Sequence, residues 1–169
     1  MGENKLQFVP IQLPEMTLAL EQTVKDLQDK DLKEVELCLS ETETPYDCVY
    51  NVLKDCVEKF FVTAYGDIIG IVGYKTVCKD GYDIAVLCIL TTNKVKKHSK
   101  MYYVAAEQFI SSVAAEHDAL ACEILEGYDA SIKMANKLGF KKVAEREVNG
   151  YNLLAYVLRI ERNKNGLAK

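Results

Sequence analysis

The apolar positions of the chain change period several times, and each change marks an element. Lys5 to Gln12 reads as a short first strand that stops before Pro14. Leu13, Met16, Leu20, Val24 and Leu27 then recur at helical spacing through about Gln28. Asp31 is placed to cap a second helix with Leu32, Val35 and Leu39 on one side. Thr44-Pro45 is a start signal for a third, threonine as N-cap and proline at the first helical position, and this helix is expected to bury Val49, Val52, Leu53, Cys56 and Val57.

A meander follows. Phe60 to Tyr65 forms a strand, Gly66-Asp67 turns, and Ile68 to Val77 runs back. Lys79-Asp80-Gly81 supplies the next turn, and Asp83 to Thr91 is nearly all apolar in its middle, as suits a central strand covered on both faces. Helical spacing returns from His98 to Ala115 through Met101, Val104 or Ala105, Gln108 or Phe109, and Val113. Ala119 to Leu125 is a short strand. Asp129 or Ser131 opens a helix that stops at Gly139, and Lys142–Val148 with Tyr151–Ile160 make a hairpin across Asn149-Gly150. The order is β-α-α-α-β-β-β-α-β-α-β-β: an α/β (α+β) domain over residues 1–160, with a mixed central sheet of about six to seven strands, helices on both faces, and a polar tail at 161–169.

Composition narrows the function classes. The 169 residues are 49% hydrophobic and 27% charged, the balance of a folded domain. A net charge of -4 argues against a general nucleic-acid binder, whose footprint would be basic, though a local basic cluster can still hold an anion. No apolar run approaches the ~18 residues of a membrane span, so no membrane partner is expected. Met-Gly-Glu-Asn-Lys at the start lacks the apolar stretch of a secretory signal. The six cysteines (Cys38, Cys48, Cys56, Cys78, Cys88, Cys122) form no C-x-x-C pair and read as free thiols in a reducing, cytoplasmic compartment. His98 and His117 have no close cysteine at ligand spacing, so no metal is expected.

The segment S-I-K-M-A-N-K-L-G-F-K-K-V, from Ser131 to Val143, resembles the last helix and strand entry of the GNAT acyl-CoA N-acyltransferase superfamily. Together with the element order over residues 5–160, it implies the GNAT fold and an acetyl-CoA or CoA site. A narrower match is I-L-T-T-N-K-V followed by K-K-H-S-K and a long helix. It is similar to small GNAT-like internal virion or assembly proteins of short-tailed bacteriophages, where an acidic residue stands at the position of Asn93. That match implies a phage-encoded protein acting in the host cytoplasm or the virion.

The resemblance places the cofactor at the strand end Leu90, Thr91, Thr92 and Asn93 and at the turn Lys96, Lys97, His98, Ser99 and Lys100. Helix N-terminal amides there would face the pyrophosphate. The superfamily's glycine-rich loop is degenerate here, because no glycine lies between Asp83 and Gly127; Lys94, Lys96, Lys97 and Lys100 with Ser99 offer charge instead. The tyrosine expected four residues before Gly139 is replaced by Ala135. Catalytic candidates are Glu123 and Glu126 at the end of the fifth strand and Tyr128 beside the last helix. Cys88 reads as a small buried side chain rather than a nucleophile.

Two functions follow from these residues. One is an N-acyltransferase in which a small-molecule or protein amine attacks an acyl-CoA thioester. The other is a catalytically inactive scaffold that binds a phage virion or host protein, with the helix from Pro45 to Glu58 as its partner surface. The first requires the fourth and fifth strands to part into a V-shaped notch.

Overall fold

The computed structural model describes residues 5–161. The strand β1 (Leu6–Pro10) is followed by helices α1 (Thr17–Lys25), α2 (Asp29–Leu37) and α3 (Pro45–Asp55), then by β2 (Glu58–Ala64), β3 (Asp67–Lys79) and β4 (Tyr82–Thr91). A 3-10 turn over Asn93–Lys97 leads into α4 (Ser99–Ala114), β5 (Ala119–Leu125), α5 (Asp129–Lys137), β6 (Lys141–Val148) and β7 (Tyr151–Arg159). The strands form one mixed sheet in the order β1-β2-β3-β4-β5-β7-β6, with only β4 and β5 parallel. The polar tail expected over 161–169 lies, beyond Glu161, outside the described residues.

The turns follow the chemistry that the sequence announces. Asp80-Gly81 and Asn149-Gly150 both take positive φ at two successive positions, as a two-residue hairpin with right-handed strand twist requires. The β2–β3 turn sits one residue earlier than Gly66-Asp67: Tyr65 and Gly66 have positive φ, and Asp67 already pairs with Ala64. Thr44 caps α3 through a reciprocal bond with Asp47, and Pro45 is at the first position. At the end of α5, Phe140 N–H donates to Ala135 O and Gly139 N–H to Asn136 O, with Gly139 at φ 93°.

Two apolar layers sandwich the sheet. On one face Leu20, Val24, Val49 and Leu53 from α1 and α3 pack on Phe61, Ile71 and Leu90. On the other, Tyr102, Ala105, Phe109 and Val113 from α4, with Ala135 and Phe140, pack on Val72, Tyr74, Leu87 and Leu120. Val52 and Val57, expected in the core, are 40% and 61% exposed. Val49, Leu53 and Cys56 fill the inward face of α3, while Val57 lies beyond its end.

Asp31 does not cap α2. That helix starts at Asp29 after Gln28, which makes no side-chain cap, and Asp31 lies inside its first turn with its carboxylate turned into the protein. One further placement matters for the site. A Cβ on Gly70 would stand 2.7 Å from Leu90 O and 3.3 Å from the Tyr102 ring, so only a glycine lets that ring lie close over β3.

Candidate active site

Strands β4 and β5 pair over three residues, Ile84–Val86 against Ala119–Ala121, and then part. Backbone direction along β4 follows from its hairpin turn. Tyr82 and every second residue after it bond β3, so Leu87, Ile89 and Thr91 turn their N–H and C=O groups toward the gap. Asp83 O accepts from Asp118 N–H on that side, and Thr91 O from Gln28 N–H at 3.0 Å. Ile89, between them, has no strand opposite it.

Helix α2 lies across the wide end of this fork and is tied to both arms. Leu27 bridges Thr92, and Asn93 N–H donates to Asp26 O. Thr91 Oγ1 donates to Asp31 Oδ2 at 2.7 Å, and Tyr128 OH donates to the same oxygen at 2.6 Å. Gln28 Nε2 donates to both Thr91 Oγ1 and Tyr128 OH. One turn on, Glu34 Oε1 accepts from Leu125 N–H at 2.7 Å.

Burial dominates the electrostatics of these groups. It raises the pKa of Asp31 against the opposing hydrogen bonds from Tyr128 and Thr91. It carries Glu34 to about 8, with the Leu125 N–H bond opposing and the charges of Asp31 and Glu123 reinforcing the rise. Burial also raises Cys122 to about 12 and Cys88 well above an ordinary thiol, so neither supplies a thiolate.

Two cavities meet at the fork. A narrow one of about 70 Å³ runs on the α4 and α5 side, lined by Ile89, Thr91, Tyr102, Met134, Ala135 and Leu138. A wider one of about 390 Å³ opens on the α3 side beside Val49, Val52, Leu90, Leu153 and Ala155. Glu34, Leu87, Ile89, Cys122 and Glu123 line both. Tyr102 is 8% exposed, and its hydroxyl, in the wall of the narrow cavity, has no hydrogen-bond partner among the described residues.

The residues singled out from the sequence divide among these surroundings. Thr91 and Tyr128 belong to the buried Asp31 network. Thr92 is buried and donates to Ile68 O; Asn93 donates through Nδ2 to Asp26 O. Leu90 bonds β3 through its backbone and packs its side chain on the α1 and α3 face. Lys96, Lys97, Ser99 and Lys100 are exposed around the start of α4. His98 is turned aside: its Nε2 lies 3.2 Å from Asp67 Oδ2 and its ring stacks on Tyr65. Glu123 lines both cavities but is held by a two-pronged bond from Arg146, and Glu126 accepts from Asn152 Nδ2. Among the described residues no cluster of His, Cys, Asp and Glu is arranged to hold a metal ion.

Glu34, Asp31 and Tyr102 are absent from the sequence-based candidates. The signal was present for the first two: Gln28, Asp31 and Glu34 recur every three residues and so share one helix face. Tyr102 sits at an ordinary core position of an amphipathic helix, where nothing in the sequence distinguishes its hydroxyl.

No protein-family model matches the chain, and no curated protein sequence does. Solved structures do. The ribosomal-protein-S18-alanine N-acetyltransferase from Escherichia coli aligns over 97% of this chain and 99% of its own at 13% identity, with a TM-score of 0.68. The acetyltransferase (GNAT family) from Bacillus anthracis aligns over 96% and 99% at 12% identity, TM-score 0.67. Spermidine N-acetyltransferase from Vibrio cholerae, in complex with CoA and spermine, aligns over 94% and 97% at 9% identity, TM-score 0.67. At these identities the likeness establishes architecture, and the chain has the GNAT fold.

Proposed function

We propose that this protein is an acyl-CoA-dependent N-acyltransferase. The observation that carries the reading is the fork between β4 and β5, where cavities from opposite faces of the sheet share two carboxylates, Glu123, which Arg146 holds, and Glu34, which it does not. Such a passage lets a thioester and an amine approach each other from the two sides of a sheet.

The residues fit an acyl-CoA. The unpaired Ile89 backbone offers N–H and C=O to pantetheine amides, in an apolar slot that suits its methylene chain. The first turn of α4, together with Lys94, Lys96, Lys97, Ser99 and Lys100, offers donors and positive charge to a pyrophosphate. The bound group supplies an activated acyl thioester.

The protein's own groups do the rest. An amine in the wide cavity attacks from the Glu34 side, and Glu34 takes the proton that the nitrogen loses. A carboxylate with a pKa of about 8 is matched to that task near neutral pH. Tyr102, kept protonated by burial, donates a hydrogen bond from its unpartnered hydroxyl to charge that develops in the narrow cavity. Tyr128 is committed to Asp31 and acts by positioning α2.

Isothermal titration with acetyl-CoA tests the reading: saturable heat at micromolar concentration supports it, and no heat at high micromolar concentration removes it. The alternative of an inactive, phage-encoded scaffold that binds a virion or host protein rests on the sequence resemblance, the missing loop glycines and Ala135 in place of the expected tyrosine. Normal phage yield and virion composition after deletion of the gene count against it.

A further inference from the structure

The wide cavity is mostly apolar, with few charged side chains on its lining. Its walls are Val35, Val49, Val52, Leu153, Ala155 and Val157, with thiols of Cys48 and Cys88 among them. At its inner end stand two carboxylates, and they differ. Glu123 is neutralised by Arg146, whose Nε lies 2.7 Å from Oε2 and whose Nη2 lies 3.0 Å from Oε1. Glu34 binds Leu125 N–H through Oε1 alone, and its Oε2 has no hydrogen-bond partner among the described residues. The remaining charge on the lining is the exposed cation Lys75.

We infer that the acceptor is a primary monoamine carrying a compact apolar body, alkyl or arylalkyl, with its nitrogen against Glu34 and its body along the valine and leucine walls. The inference rests on the N-acyltransferase reading and adds the substrate class to it. One free carboxylate balances one ammonium, and a second ammonium buried among valines would be unpaired, which is strongly unfavourable. Lys75 adds repulsion to any dication. A peptide N-terminus is disfavoured for a different reason, since its backbone amides would enter a wall with few polar partners.

The neutral amine nitrogen bonds to the acyl carbon, the carbon–sulfur bond breaks with its electron pair leaving on sulfur, and the proton lost by nitrogen passes to Glu34. Coenzyme A leaves as the thiolate and takes a proton from water. The products are an N-acyl amine and free thiol.

Two measurements on the full chain separate this inference from the reading beneath it. Release of free thiol from acetyl-CoA is followed with 2-phenylethylamine, hexylamine, spermidine, phenylalanine and a short peptide. We expect kcat/KM for the two monoamines to exceed the others by at least about tenfold. Val52→Glu, at the half-exposed rim, should shrink the gap to spermidine by giving its second ammonium a partner. Independently of turnover, 2-phenylethylamine is titrated calorimetrically against the wild type and Glu34→Gln; binding that the substitution abolishes supports the site even if acetyl-CoA gives no heat and the acyltransferase reading falls. Equal or tighter binding of spermidine, a preference for phenylalanine or the peptide, or no binding of 2-phenylethylamine at all would overturn the inference.

Discussion

The Glu34 carboxylate lies 2.7 Å from the amide nitrogen of Leu125, a contact between residues 91 positions apart. Leu125 is on the side of β5 that would have met β4 had the strands stayed paired. A side chain from α2 satisfies that N–H in place of a β4 carbonyl, and the fork remains open without an orphaned donor. The same contact leaves the second carboxylate oxygen without a hydrogen-bond partner among the described residues, on a side chain that lines both cavities.

Glu34→Gln keeps an acceptor for Leu125 N–H and removes the proton acceptor. Acetyl transfer should therefore fall by about 10² to 10⁴ in kcat/KM, with the affinity for CoA unchanged by calorimetry. The wild-type pH–rate profile should rise toward a limb near pH 8, and that limb should vanish in the variant. A variant with wild-type rate and an unchanged profile would remove Glu34 from the chemistry.

The same carboxylate sets a stability slope. Its pKa is about 8 in the folded protein against an ordinary 4.5, so between these pH values the folded state binds more protons than the unfolded one. Stability is then greatest below about pH 4.5 as far as this group is concerned, and it declines as pH rises toward 8. Asp31, also raised by burial, acts in the same direction. Urea midpoints measured from pH 5 to 8 should fall for the wild type and fall less for Glu34→Gln.

Much of the architecture was written in the residues, and the site much less so. The turns at Asp80-Gly81 and Asn149-Gly150, the Thr44-Pro45 cap and the Gly139 stop are local: a few neighbouring atoms decide each one. The fork could be anticipated only through resemblance, because nothing in the apolar run of β4 says where pairing with β5 ends. Asp31 looked like a cap because aspartate near a helix start usually is one; what turned it inward is Thr91 and Tyr128, sixty and ninety-seven residues away. The spacing of Gln28, Asp31 and Glu34 marks a shared helix face in the sequence, but not that this face is buried. A carboxylate on a charged helix reads as solvated until its distant partner is known.

Tyr102→Phe separates stability from catalysis. Deleting a buried hydroxyl with no partner removes an unsatisfied group, so resistance to urea should rise by about 1 kcal/mol. Acetyl transfer should drop by about 10²-fold if the hydroxyl stabilises developing charge. Loss of both stability and activity would instead mark the residue as packing.

The exposed lysines should govern the phosphate end alone. Replacing Lys96, Lys97 and Lys100 by alanine should weaken CoA binding by about tenfold in low salt and less at high ionic strength, since exposed charges are screened. Melting temperature should hardly move. Equal affinity for the triple variant at all salt concentrations would place the anion elsewhere.

On the proposed function, Asp31 and Glu34 of α2 and the α3 wall of the wide cavity come from the chain before β2, while the rest of the narrow slot comes from β4 onward. On that reading, changes in the first fifty-five residues reshape one wall of the wide cavity, which Leu153, Ala155 and Val157 of β7 complete, provided that Gln28, Asp31 and Glu34 still dock on the sheet. An exchange confined to that segment would, on the proposed function, alter which nucleophile is accepted and leave most of the thioester slot as it is.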